Sequence, residues 1–222
     1  ATGEMKYFDT RLEATAIASA AAWTGTELDP TATVESTPVA TPLCLAAPVV
    51  GSAINQRIGR EIKVHKIKMR FNVNAPAQAG ISAADPGSNI RIQLVQDTQT
   101  NSTQMQGEQL MTATADINSA MLGYQSLNNF GRFRVIKDKF LTLNNPAIAN
   151  DTGATGGVVQ QGLIKTFKFS INFKKPIPVR FNATNGGTVA DIVDNSFHII
   201  ANTNATGLAP TLSYFCRVAY KE

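Results

Sequence analysis

The chain has 222 residues, a formal net charge of +4 at pH 7 and only 16% charged residues against 43% hydrophobic ones. The length suits one all-β domain with a sizeable core, while two cysteines, Cys44 and Cys216, are too few to specify a disulfide framework or a metal knuckle. No apolar run reaches the ~18 residues of a membrane-spanning helix, and the charge imbalance is small for a nucleic-acid binder and decides little by itself.

Strand signals recur from end to end, and eight of them can be lettered B to I. Strand B is expected over Lys6 to Ile17, followed by a Thr, Pro, Val and Ala-rich stretch from Thr24 to Ser52 that has no period and reads as a long loop. Strand C covers Arg60 to Val73. Its alternation changes phase, since Ile62 and Val64 share one parity and Ile67, Met69, Phe71 and Val73 the other, which predicts a β-bulge near His65-Lys66. A Gly/Pro/Ala loop over Pro76 to Ser88 leads to strand D, Ile90 to Gln96. The polar stretch Thr98 to Asn128 has room for a short helix between Gly107 and Leu122.

Strand E is expected over Phe130 to Leu143, then a Gly/Asn/Thr loop from Asn144 to Gly162. In strand F, Leu163 to Lys174, Phe167, Phe169, Ile171 and Phe173 alternate with Lys168, Ser170, Asn172 and Lys174, as a half-buried strand requires. Pro176 and Pro178 lack the N–H of a central ladder, so they are expected to end F, the chain turning there or running along an edge before a short strand G at Val179 to Asn182. A polar loop from Ala183 to Asn195 leads to strand H, Phe197 to Asn202, and strand I closes the chain at Leu212 to Tyr220, with Cys216 on its buried face as a free thiol. Eight strands with long loops and no repeat or linker predict an eight-stranded jelly roll: two antiparallel four-stranded sheets, BIDG and CHEF, with the first and last strands adjacent.

Chemistry is sparse. His65 and His198 each lie within a strand, away in sequence from any Cys, Asp or Glu cluster, and are read as structural residues, so no metal site is expected. No G-x-S-x-G elbow offers a serine nucleophile, no cofactor motif is present, and the chain is not expected to be an enzyme. Asp191, Asp194 and Asn195 suit loop capping better than calcium. The basic residues are better organised: Lys66, Lys68 and Arg70 share the face opposite Ile67, Met69 and Phe71, a stripe that fits phosphate contact and equally a solvated strand face. Arg132, Arg134, Lys137 and Lys139 form a looser second cluster. The aromatics lie mostly at core parity, which favours packing over base stacking.

Several stretches carry a resemblance: Glu4-Met5-Lys6-Tyr7-Phe8-Asp9-Thr10, Gln56-Arg57-Ile58-Gly59-Arg60-Glu61-Ile62, Arg91-Ile92-Gln93-Leu94-Val95-Gln96-Asp97, Asn129-Phe130-Gly131-Arg132-Phe133 with Lys137-Asp138-Lys139, and Tyr214-Phe215-Cys216-Arg217-Val218. In order and across nearly the whole chain, they resemble capsid proteins of circular Rep-encoding single-stranded DNA viruses, the circovirus-like group. The resemblance implies one shell domain spanning residues 1–222 that self-assembles into an icosahedral shell around a circular single-stranded DNA genome. It implies residence in the virion and, during assembly, the host nucleus. It also implies a host-cell receptor, which the sequence does not identify. Members carry a basic arm ahead of the jelly roll. None is present here, and it is expected upstream of Ala1.

On this reading the genome-facing residues are Lys6, Arg11, Arg57, Arg60, Lys66 and Lys68, and the long neutral loops meet neighbouring subunits, with Asn185, Gly186, Gly187, Asp191, Asp194 and Asn195 at one contact. The alternative from another class is a secreted jelly-roll carbohydrate-binding module, for which Trp23 and four tyrosines are few stacking aromatics.

Overall fold

Alternation at period two settles most of the architecture. The computed structural model describes residues 3–34, 41–75, 87–112, 115–144, 164–205 and 209–222. Among the described residues nine strands form: β1 (Lys6–Ala16), β2 (Ala32–Thr33), β3 (Glu61–Asn74), β4 (Gly87–Asp97), β5 (Phe133–Asn144), β6 (Ile164–Phe181), β7 (Ile192–Asp194), β8 (Ser196–Thr203) and β9 (Thr211–Lys221). Two short helices, α1 (Gly107–Leu110) and α2 (Ile117–Leu122), lie in the stretch expected to hold one. The larger sheet runs β2-β1-β9-β3-β6-β7 and the smaller β5-β4-β8, all pairs antiparallel. The protein is an all-β, jelly-roll-like sandwich. The loops expected at Pro76 to Ser88 and Asn144 to Gly162 lie almost wholly outside the described residues.

The core forms where the inward parities meet. Phe8, Leu12, Ile67, Met69, Phe71, Phe169, Ile171, Tyr214 and Val218 of the larger sheet pack against Ile90, Ile92, Leu94, Phe197 and Ile199 of the smaller. Phe71 stacks on Phe167 at 4.6 Å and meets Phe169 edge-on at 4.9 Å, arrangements that suit the ring quadrupole. The Tyr214 hydroxyl crosses from β9 to donate to the Leu28 carbonyl at 2.7 Å, so a buried O–H is satisfied and the layers are bolted together. The bulge expected near His65 is present, as a register shift between Val64 and Lys66. Cys44 and Cys216 are both buried free thiols.

Three expectations need correction. Strands F and G are one strand, because β6 runs through both prolines. Its residues 173–176 bulge out of register opposite His65, Pro178 pairs with Lys63, and on its other side β6 meets β7 only at Arg180 and Phe181. At such an edge a missing N–H removes no ladder bond. The stretch expected to be a loop from Thr24 to Ser52 carries β2, and residues 26–28 run beside β8: Glu27 bridges Ile200, the Leu28 amide donates to the Ile199 carbonyl and the Ala201 amide to the Thr26 carbonyl, both at 2.9 Å. With the strands lettered as read from the sequence, the core sheets therefore run B-I-C-F and E-D-H. B and I are neighbours as expected, but C, D and F do not occupy the sheets assigned to them.

The sheets differ in how their outer faces are finished. The segments 98–112 and 115–132, with α1 and α2, fold over the smaller sheet and make a second core of Trp23, Val95, Met105, Leu110, Met111, Ala120, Phe133 and Ile200. Gly107 permits this closeness, since a Cβ there would sit 2.0 Å from Thr26 Oγ1 and 2.7 Å from the Trp23 carbonyl oxygen. No described segment covers the corresponding face of the larger sheet over β9 and β3, where Phe215, Arg217, Lys68 and Arg70 are exposed.

Candidate nucleic-acid interface

That open face is built from the outward parity of β1, β9, β3 and β6. Strand register lines its residues into rows, one residue per strand: Tyr7, Ala219, Lys66 and Asn172; then Asp9, Arg217, Lys68 and Ser170; then Arg11, Phe215, Arg70 and Lys168. Neighbouring strands lie about 4.8 Å apart, so each row is a contiguous strip of side chains. Six cations stand here against two carboxylates of β1. Asp9 is held by Arg217 through contacts of 2.6, 2.8 and 3.1 Å, and Glu13 lies 3.1 Å from Arg11. Among the described residues no carboxylate lies within ion-pair reach of Lys66, Lys68, Arg70 or Lys168. A strip of this charge suits phosphate contact and equally a solvated strand face.

Of the six residues expected to face a genome, Arg11, Lys66 and Lys68 lie on this face. Arg60 is exposed just ahead of β3, outside the rows. Lys6 points to the other side of β1, 8% exposed, where its ammonium donates to the Gln56 carbonyl at 3.1 Å and meets Glu222 at 3.4 Å. Arg57 is 1% exposed: Nε donates to the Pro48 carbonyl at 3.1 Å, Nη1 to Gly59 at 2.7 Å and Nη2 to Thr184 at 3.1 Å, with the guanidinium 4.0 Å from the Phe181 ring centroid. Burial lowers its pKa and nearby Asp191 opposes that shift. In the folded chain Arg57 is a loop clamp with its donors already used. The face adds Arg70, Lys168, Arg217, Tyr7 and Phe215, all at outward parity and so readable from the alternation.

The residues expected at a subunit contact divide in the same way. Asn185 and Gly186 are exposed, and Gly187 is buried with φ +71. Asp191 turns inward, where its carboxylate accepts from the Thr184 hydroxyl, from the Thr188 amide at 2.8 Å and from the Gly186 amide at 3.2 Å. Burial alone would raise its pKa. These hydrogen bonds and the Arg57 charge outweigh burial and hold it below the usual carboxylate range. Asp194 meets Arg180 at 3.3 Å, and Asn195, at φ +63, accepts from Gln96 at 2.9 Å. Asp191, Asp194 and Asn195 thus fix the loop itself, as capping residues do.

One cluster escaped sequence reading. His198 Nδ1 lies 2.7 Å from Asp29 Oδ2, His198 Nε2 lies 2.7 Å from Ser196 Oγ, and Thr100 donates to Ser196 Oγ at 2.7 Å. Asp29 also accepts from the Ile199 amide at 2.9 Å and the Gln104 amide at 2.7 Å. His198 therefore has the acidic partner that its sequence neighbourhood lacks. The order of groups is that of a hydrolytic triad, but His198, Ser196 and Thr100 are 0% exposed, so no substrate carbonyl reaches Ser196 Oγ. The cluster ties 26–30 and the 98–104 loop to β8. Among the described residues no group of three or more His, Cys, Asp or Glu side chains is arranged to hold a metal, and no helix is long and apolar enough to cross a membrane.

No family model and no curated protein matches the chain. Among solved structures it is similar to one described as "KBV activated particle at acidic pH", with 8% sequence identity over 97% of this chain and 69% of that chain, at a TM-score of 0.22. A likeness this slight establishes no structural equivalence.

Proposed function

We propose that the protein is a capsid subunit that self-assembles into a closed icosahedral shell around a circular single-stranded DNA genome, with a structural and not an enzymatic role. The observation that carries this reading is an apolar crest at the edge of the smaller sheet. Leu122, Tyr124, Leu127 and Phe130 are 72%, 88%, 86% and 64% exposed, and Phe140 of the adjoining strand β5 is 51% exposed. Arg91 ties the crest to β5, donating to the Gly123 carbonyl at 2.7 Å while its guanidinium lies 4.9 Å from the Phe140 ring centroid. A dispersed monomer rarely exposes so many large apolar side chains together, whereas a surface covered by a neighbouring copy gains by it.

The sheet order supports the reading. If residues 26–28 are taken as strand C, then β3, β4, β5 and β6 become D, E, F and G. The larger sheet is then B-I-D-G, flanked by two short strands, and the smaller is C-H-E-F. The orders expected of a jelly roll are recovered by moving one letter. The basic outer face of the larger sheet is the surface suited to the genome, and residence in virions and, during assembly, in the host nucleus belongs to the same proposal. The carbohydrate-module alternative loses its largest stacking ring, because Trp23 is 0% exposed. Negative-stain microscopy of the purified protein tests the proposal. Uniform closed particles are the expected result, and glycan binding by dispersed subunits that form no particles reverses the ranking.

A further inference from the structure

We propose that the open face of the larger sheet takes unpaired nucleic-acid bases by stacking on Phe215 and Tyr7, with the flanking arginines and lysines holding the phosphates. This rests on the shell reading for its biological setting and deepens it by giving the face a recognition mode. The argument starts from Phe215. On β9 the inward residues Leu212, Tyr214, Cys216 and Val218 supply the core, while Phe215 points outward and is 56% exposed. A large ring at that parity contributes little to folding. Its partners in register are Arg11 on one side and Arg70 on the other, with Lys168 next in the row. A ring flanked in register by two arginines can offer a π-face to a base and cations to the phosphates on either side of it.

Tyr7 is a second outward ring at the other end of the face. It is 41% exposed and lies 5.8 Å from the Arg217 guanidinium. Its neighbour in register is Ala219, whose small side chain leaves a hollow of about 470 Å³ bordered also by His65, Lys66, Lys68 and Asn172. The rows of Phe215 and Ala219 are four residues apart on β9, roughly 14 Å at the strand rise, so two bases have separate seats. The occupant follows from the chemistry. Bases within a duplex are stacked on one another and offer no free face, so the rings select a single strand. Charge and stacking are both indifferent to base identity, so binding is tolerant of sequence.

The test is fluorescence anisotropy of a labelled oligothymidine and of a duplex of equal length, titrated with the full chain at fixed salt. The single strand is expected to bind at least about tenfold tighter than the duplex, because only it exposes base faces. Phe215→Ala lowers single-strand affinity about 5- to 150-fold, the range for loss of one stacked base, without changing duplex affinity, and Phe215→Trp restores it. Arg70→Ala weakens both and reduces the salt slope by about one phosphate. Equal affinity for the two forms, or unchanged single-strand binding by a folded Phe215→Ala protein, overturns the inference. Particles counted in the same samples keep the two claims apart. Particles with Phe215-independent DNA binding sink stacking alone, stacking without particles sinks the shell alone, and loss of particles in Phe215→Ala with DNA binding intact makes the face a subunit contact.

Discussion

Arg57→Ala separates the clamp described above from a nucleic-acid role. The wild-type guanidinium serves three carbonyls, those of Pro48, Gly59 and Thr184, and packs on Phe181, so it joins the segment ahead of β3 to the loop after β6. Hydrogen bonds to a charged group contribute about 1.5–3 kcal/mol each. Water can replace those to Gly59 and Thr184, which are only partly buried, but not the fully buried one to Pro48. With about 0.5–2 kcal/mol for the lost contact with the Phe181 ring, a net loss of about 2–5 kcal/mol follows, which for a chain of this size is a fall of about 4–20 °C in Tm. Trp23, the single tryptophan and fully buried, reports unfolding by fluorescence. Arg57→Lys, which keeps the charge but cannot fork to three acceptors, should lose roughly half as much. Oligonucleotide affinity of the folded variant should equal that of the wild type. An unchanged Tm together with weakened DNA binding would refute the clamp.

Asp191→Asn should cost about 1–3 kcal/mol, because the amides of Thr188 and Gly186 lose a charged acceptor in a buried site. The wild-type carboxyl has a depressed folded pKa, so its stabilisation is complete above the unfolded carboxylate pKa and is lost as pH falls through the folded one. Denaturant midpoints measured from neutral to acid pH should fall less steeply in the variant. Burial raises the pKa of both Cys44 and Cys216, so a thiol reagent at pH 8 should label neither in the native protein and both in denaturant. Gly107→Ala should destabilise by about 1–3 kcal/mol and shift Trp23 emission to the red, since the added methyl drives α1 off Thr26 and the Trp23 carbonyl.

Strands were legible wherever one face is wet and one dry. The phase change at His65 gave the bulge, and the parities of β3, β6 and β9 already held the rows of the open face. What escaped depends on pairing between distant segments. Residues 26–28 have no period of their own and are held beside β8 by contacts more than 170 positions away. Asp29 is 169 positions from His198, so no spacing rule brings them together. The two prolines left a turn and an edge run equally open, because the choice depends on whether the strand lies at an edge, which is a property of the sheet. Arg57 and Lys6 misled because charge alone does not report which way a side chain turns, and both turn toward backbone carbonyls.

Sedimentation velocity on the purified wild-type chain beside Leu127→Asp and Tyr124→Asp tests the shell-forming claim most directly. Both replaced side chains are more than 85% exposed, so neither change should alter the folded subunit. The account predicts one fast, uniform boundary of closed particles for the wild type and slow boundaries of small species for the variants at equal Tm. A wild-type chain that sediments as a monomer across salt and pH at high concentration, indistinguishable from its variants, would contradict it.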